Sequence, residues 1–368
     1  MATNGSDQAP PLDIKDVVRR EFHKGQKRAM HQARNTAGGV STFVQISPAD
    51  APSRQPEDEN HDDHLLLYEH VRMLGHGGSA SVEMVRHSKT GSIFARKVIT
   101  NVYSRNMEDA KRRLLNEVHI MRRLSSHRHI AKVHATYIKG RELAIILEPV
   151  ADGGDLANFL RNYRDQRDSK FENLSNAERK RQRHIMWNAF GCLASALAFI
   201  HQHTIRHKDI KPQNILIHQG RILYTDFGLS YDYSDIGRST TTGNPQGFTR
   251  KYCAPEVVKG ESRNSKADIF SLGCVFVEIA LALAKDDSYD QYYGRPFHEL
   301  VKSYPRGLPL PLPKHSSNNM YLLRDIIGKM LSRDSASRPS ASTTSYMFTE
   351  GATPEFSCPE CKEVFHFT

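Results

Sequence analysis

The chain passes from mostly strand-like to mostly helical hydrophobic period along its length, and that change limits the folds open to it. From "LLLYEHVRML" onward come short β-like runs: "SASVEMVRH", "IFARKVIT", "AKVHATYI" and "ELAIILEPV", parted by Gly or polar breaks. One helical stretch, "DAKRRLLNEVHIMRRL", lies between the second and third of them. After Gly153 the pattern turns helical, in "DLANFLRNY", "RHIMWNAFGCLASALAFIHQH" and "MYLLRDIIGKML". Strands first and helices after predict an α+β fold in two lobes, a small β-rich one and a larger helical one. With 368 residues, 38% of them hydrophobic, there is core enough for one large or two modest domains. No repeat of fixed period is visible.

The ends differ from this body. Residues 1–67 are polar and are expected to be a disordered arm, basic first and acidic ("EDENHDDH") at its end. Between residues 15 and 34, Lys15, Arg19, Arg20, Lys24, Lys27, Arg28 and Arg34 face only Asp16 and Glu21, so 7 − 2 = +5 of the formal +10 resides there. Such a segment is either a solvated arm or a weak contact for nucleic acid or an anionic surface. "MATNGSDQAPPLD" has no apolar core and does not read as a signal peptide. The apolar run Ile269–Ala284 is broken by Glu278 and is short of the roughly 20 residues of a membrane span, so a buried core helix is expected. Five cysteines without framework spacing point to a reducing compartment, hence an intracellular setting, cytoplasmic or nuclear.

Several short stretches carry chemistry. "LGHGGSASV" (Leu74 to Val82) is a glycine-rich turn between β-like runs, where missing Cβ atoms let backbone N–H groups approach phosphate oxygens. "FARKV" sets Lys97 among apolar neighbours, where an ammonium is costly unless paired. Glu117, in "LLNEVHIM", points inward from the next helix and is its candidate partner. In "RHKDIKPQNIL" Asp209 is placed to accept a hydroxyl proton, and Lys211 to neutralise charge developing on a transferring phosphoryl. Asn214, with Asp226 of "YTDFGLS", offers the hard oxygen ligands that Mg²⁺ prefers. Singly, each is also a turn or capping residue. The order of the set makes that reading hard to sustain.

Taken together, the glycine-rich loop, Ala95-x-Lys97, Glu117, "HKDIKPQN", "DFG" and "APE" resemble the eukaryotic protein kinase family, from about Tyr68 to Phe348. The resemblance implies a bilobal kinase domain over residues 68–349, with an N-lobe at 68–147, a hinge at 148–152 and a C-lobe at 153–349. It implies ATP and Mg²⁺ as cofactors, and protein substrates phosphorylated on Ser or Thr. Leu74, Gly75, Gly77 and Val82 would cover the nucleotide, with Ala80 where the family often has a third glycine. Val82, Ala95 and Leu216 would enclose adenine. Leu147 would be the gatekeeper, Glu148 and Val150 would hold the adenine edge, and Asp155 would reach the ribose. His207, Phe227 and Met121 would stack in the internal column. Glu256 would pair with Arg338, and Asp268 would brace the catalytic loop. Lys211 and Thr249 resemble the Ser/Thr branch. Lys208 stands where the family commonly has an Arg that grips an activation-segment phosphate, so Ser239, Thr240, Thr241 and Thr242 of "RSTTTGN" are candidate phosphosites held less firmly. A scaffold without turnover is the competing reading, and the presence of Lys97, Glu117, Asp209, Asn214 and Asp226 argues against it.

The tail, residues 350–368, contains "FSCPECKEVFHFT". Cys358 and Cys361 have zinc-knuckle spacing, flanked by Phe356 and Phe365, and resemble the β-hairpin half of a Cys2His2 finger. With His366 they give at most three ligands, one short of tetrahedral zinc, so Zn²⁺ is doubtful on sequence alone.

Overall fold

The computed structural model describes residues 67–363 apart from residues 79, 169–174, 235, 236, 238, 242–248, 285–291, 293, 305–317 and 350–353. The basic segment 15–34, the acidic patch, Thr242, Phe365 and His366 lie outside the described residues.

Five strands form the first lobe: β1 (Tyr68–His76), β2 (Ala80–His87), β3 (Ile93–Ile99), β4 (Lys132–Lys139) and β5 (Glu142–Glu148). All neighbours are antiparallel, in the order β1-β2-β3-β5-β4. The register sets Val82 opposite Lys97 and Ala95 opposite Leu147, which places the expected nucleotide-facing positions on three adjacent strands. Helix α1 (Met107–Arg123) is inserted between β3 and β4. It buries Leu114, Glu117, Val118, Ile120 and Met121, the spacing of one helix face, and leaves its charged face outside. Glu108 and Asp109 in its first turn and Arg122 and Arg123 in its last complement the helix dipole.

The second lobe is helical: α2 (Leu156–Asp168), α3 (Asn176–Gln202), α4 (Pro255–Val258), α5 (Lys266–Ala284), α6 (Phe297–Ser303), α7 (Asn318–Met330), α8 (Ala341–Thr349) and α9 (Pro359–Glu363). Between α3 and α4 run short strands β6 (Ile205–Arg206), β7 (Ile215–His218), β8 (Arg221–Tyr224) and β9 (Tyr231–Asp232), paired β6 with β9 and β7 with β8. Helix α3 begins earlier than its apolar pattern suggested. Ser175 caps it by accepting from the Glu178 N–H at 3.1 Å, so the charged "NAERKRQR" forms its first turns. Helix α5 buries every residue from Asp268 to Leu283 except Ser271, as expected of a core helix. By length and composition α3 and α5 are apolar enough to cross a membrane, but most of each apolar stretch is buried inside the protein.

At the lobe junction the chain passes close under β7. The Gly153 N–H donates to Ile217 O at 3.0 Å and the Ile217 N–H to Gly154 O at 2.9 Å. A Cβ on Gly153 would lie 2.7 Å from Ile217 Cγ2, so this approach requires glycine. The tail also differs from expectation. Instead of a β-hairpin, Pro354–Phe356 make a 3₁₀ turn and Pro359–Glu363 a short helix.

Candidate active site

Strand β3 delivers Lys97, and the buried face of α1 delivers Glu117. Lys97 Nζ donates to Glu117 Oε1 at 2.7 Å and to Asp226 Oδ1 at 2.8 Å. Lys97 and Glu117 are nearly enclosed, whereas the Asp226 side chain is 41% exposed and opens toward the space between the lobes. Burial alone would lower the Lys97 pKa, but the charges of Glu117 and Asp226 outweigh it and hold the ammonium above its ordinary value. Burial likewise pushes the Asp226 carboxyl up, and the Lys97 charge and hydrogen bond bring it below the usual carboxylate range. The three residues come from positions far apart in the chain, and the Lys97 ammonium bridges the two carboxylates.

The loop after β6 carries the second group. Asp209 Oδ2 accepts from Lys211 Nζ at 2.7 Å and Oδ1 from Thr249 Oγ1 at 2.8 Å; Lys211 Nζ is also 3.0 Å from Thr249 Oγ1. Asn214 Nδ2 donates to Asp209 O at 2.9 Å and Oδ2 at 3.0 Å, which leaves its Oδ1 as the atom free to meet a cation. The Thr225 N–H donates to Asn214 O at 3.0 Å, so the residue before Asp226 is tied to Asn214. This oxygen pair, a carboxylate and an amide carbonyl, fits a hard divalent cation.

Two backbone positions here are left-handed, Lys208 (φ 68°) and Asp226 (φ 60°), and non-glycine residues need support to stay so. Asp268, at the buried start of α5, supplies it to the first. Its carboxylate accepts from the N–H of His207 at 2.9 Å and of Lys208 at 2.8 Å. Burial opposes the charge on Asp268, and hydrogen bonding to His201 with nearby imidazoles keeps its pKa low. His207 is fully buried, its ring 4.7 Å from that of Phe227, in the same core cluster as Met121. Its Nε2 lies 3.2 Å from Thr225 O, and its Nδ1 accepts from the Asp209 N–H at 3.4 Å, a pattern that needs the neutral ring. Burial pushes its pKa down.

The other expected positions lie on these strands, loops and helices. Leu74, Val82 and Val150 pack against the core as partly buried residues, Ala95 and Leu147 are buried, and Leu216 bridges to Asp155. Gly75 and Gly77 lie at the β1–β2 turn, where the Gly77 N–H donates to Ala80 O at 2.7 Å. Glu148 ends β5. Asp155 uses its carboxylate to cap α2, accepting from the Asn158 N–H at 2.9 Å and Nδ2 at 2.7 Å. Glu256 and Arg338 make a two-pronged buried pair at 2.6 and 2.8 Å, with the Arg338 side chain wholly enclosed.

Sequence reasoning missed Arg206. Its Nη2 donates to Thr241 Oγ1 at 2.9 Å and its Nη1 to Arg263 O at 2.9 Å, and its guanidinium lies 5.2 Å from the Tyr231 ring centre. Lys208 belongs to the same patch, where burial and then the Arg206 and Arg263 charges lower its pKa. Thr241 pairs with Arg263 by backbone bonds of 2.8 and 3.0 Å. Ser239 and Thr240 lie just before it, Thr240 exposed. Arg206 thus brings a guanidinium to the patch that contains Lys208.

A family model described as "Protein kinase domain" matches residues 68–347. The chain belongs to the protein kinase family. It is 29% identical over 310 residues to mitogen-activated protein kinase kinase 2 of Arabidopsis thaliana, covering 82% of this chain and 77% of that one. It is 32% identical over 271 residues to CBL-interacting serine/threonine-protein kinase 7 of the same plant, covering 71% of this chain and 55% of the other. With the serine/threonine-protein kinase nekl-2 of Caenorhabditis elegans it shares 27% identity over 279 residues, 75% and 72% of the two chains. The stretch shared with the serine/threonine-protein kinase RUNKEL of Arabidopsis thaliana is 17% of that protein's length, and with the plant's mitogen-activated protein kinase kinase 1 it is 62%. The kinase family uses ATP with Mg²⁺ and acts on protein substrates. The Ser/Thr kinase relatives assign the reaction to Ser/Thr phosphoryl transfer.

Proposed function

We propose that Asp209, Lys211, Asn214, Asp226, Lys97 and Glu117 carry this reaction in the arrangement described, and that the chain turns over rather than serving as a scaffold. The observation that supports it most is the closed Asp209–Lys211–Thr249 network with Asn214 bonded to Asp209, beside the Lys97 ammonium that bridges Glu117 and Asp226. Asp209 orients the substrate hydroxyl and takes its proton as the oxygen bonds to the γ-phosphorus and the bond to the β-phosphate oxygen breaks. Lys211 lies against Asp209 and stabilises charge on the transferring group. Lys97, held by Glu117, positions the nucleotide phosphates. Asp226 and Asn214 would hold Mg²⁺, whose charge would offset that of the phosphate oxygens. Thr249 bonds both Asp209 and Lys211 and fixes their spacing.

A second reading concerns regulation, and the Arg206–Thr241 bond favours it. Phosphorylation at Thr241 would place a dianion beside Arg206, Lys208 and Arg263, where Arg206 Nε is buried without a partner among the described residues. The test is transfer from Mg-ATP to the chain itself and to a basic protein, with phosphoamino-acid analysis and phosphosite mapping. Phosphoserine or phosphothreonine lost in Asp209→Asn supports the catalytic assignment, and transfer that survives this substitution refutes it. Unchanged activity in Thr241→Ala after full autophosphorylation counts against the regulatory reading.

A further inference from the structure

The tail cysteines meet partners that their spacing did not announce. His129, Cys192, Cys358 and Cys361 bring their ligand atoms within 4.8 Å of one another. They come from three separate segments: the loop between α1 and β4, the middle of α3, and the tail at α9. His129, Cys192 and Cys361 are buried, and Cys358 is half-buried. His129 Nε2 lies 3.4 Å from Cys358 Sγ. A tetrahedron with metal–sulfur bonds of about 2.3 Å has edges of about 3.8 Å, so these four atoms surround a position of that size.

The surroundings are built for ligation. His129 Nδ1 sits 2.6 Å from Ile222 O, an acceptor that obliges Nδ1 to carry the proton and leaves the Nε2 lone pair toward the sulfurs. The His129 backbone is fixed as well, its carbonyl accepting from the Tyr224 N–H at 2.9 Å. The Cys358 N–H points at Cys192 Sγ at 3.3 Å, a contact that favours a thiolate over a thiol. The tail reaches this position because residue 191 is glycine: a Cβ there would stand 1.8 Å from Ser357 Oγ and 2.7 Å from Phe356 O. Phe356 is fully buried against Trp187, Phe190 and Phe348, and Arg128 pairs with Glu360 beside the cluster. A disulfide would consume two of the three thiols and leave the imidazole lone pair facing sulfur with nothing between them.

We propose that His129, Cys192, Cys358 and Cys361 form a structural Cys3His zinc site that fastens the tail to α3 and to the loop behind α1. Three soft thiolates and one imidazole select Zn²⁺ among available divalent ions, and four protein ligands leave no position for water or substrate. Binding releases the thiol protons, so occupancy falls as pH falls. The kinase core completes the ligand set that the tail begins: the remaining two ligands lie 166 and 229 residues before Cys358. The site stands apart from the catalytic residues and does not depend on their assignment.

The test is elemental analysis of the full chain purified without chelator, followed by Co²⁺ substitution. About one zinc per chain is expected, released by a thiol reagent. The Co²⁺ form is expected to show tetrahedral visible bands with thiolate charge transfer. Cys358→Ala and Cys192→Ser are expected to lose the metal while circular dichroism still reports a folded kinase, and Cys358→His, which keeps a donor, to retain it. Any of three results overturns the proposal: no zinc in the reduced chain, full zinc in Cys358→Ala, or a mass showing two of these cysteines joined as a disulfide.

Discussion

The loop at Asp209 and the cluster at Cys192 are both convergences of polar side chains, assembled in opposite ways. In the first, Asp209, Lys211 and Asn214 lie within six residues of chain and are held by bonds between near neighbours, with Thr249 the one distant member. In the second, three segments arrive separately, and each needs its own support: Ile222 for His129, Gly191 for the tail, helix α3 for Cys192. A site that is local in sequence can be read as a motif. A site assembled by packing appears only when the helices are in place.

The comparison is broken most directly by substitutions that harm one region and spare the other. Asp209→Asn is expected to reduce phosphoryl transfer by about 10²- to 10⁴-fold with zinc content and thermal midpoint unchanged, in kinetic assays beside elemental analysis. A large fall in the midpoint would show the catalytic loop to be structural as well. Arg338→Ala leaves Glu256 charged and buried, and loss of about 3–5 kcal/mol is expected in denaturant titration. Such a loss would place both convergences on a scaffold more costly to disturb than either. Gly191→Ala forces the tail off α3. It is expected to expose Trp187, whose ring meets Phe356, and to destabilise the chain by about 1–3 kcal/mol, with Trp fluorescence as the readout.

The smaller effects sharpen the contrast. The pKa of His207 is depressed by burial, so the unfolded chain binds its proton first. The contribution is complete above an unfolded value of about 6.5 and is lost as pH falls toward the folded value. Thermal midpoints of the natural chain are expected to fall between pH 7 and 5 more steeply than those of His207→Phe. Equal slopes would remove His207 as the acid-sensitive member of the catalytic side. The least effect is expected from Thr241→Ala, which removes one exchangeable hydroxyl from Arg206: stability within about 1 kcal/mol, but lower activity after autophosphorylation.

What could be read in advance follows the same division. The two-lobed α+β fold was legible because the change from period two to helical period is a local property, and β2, β3, β4, β5 and α5 fall where their apolar patterns place them. Lys97 with Glu117 was legible because a buried ammonium demands a partner. Arg206 was not, because its role depends on Thr241 being folded back beside it by backbone pairing with Arg263. The tail was read as a hairpin because Cys-x-x-Cys spacing is shared by many zinc knuckles; what decides its shape is the proline at the start of a short helix packed on α3. Cys192 sits in an apolar helix, where nothing in its neighbours distinguishes a metal ligand from a small core residue.

Helix α5 carries a consequence for how the chain is made. It is almost wholly apolar, and among the elements that cover it is α7, whose first residue is translated 34 positions after the last of α5. Synthesis is directional, so this apolar segment leaves the ribosome with α2 and α3 already made but before α7 can cover it. During that interval it resembles a membrane insert more than a piece of a kinase. Chains halted before α7 are therefore expected to present part of the apolar surface of α5 to solvent.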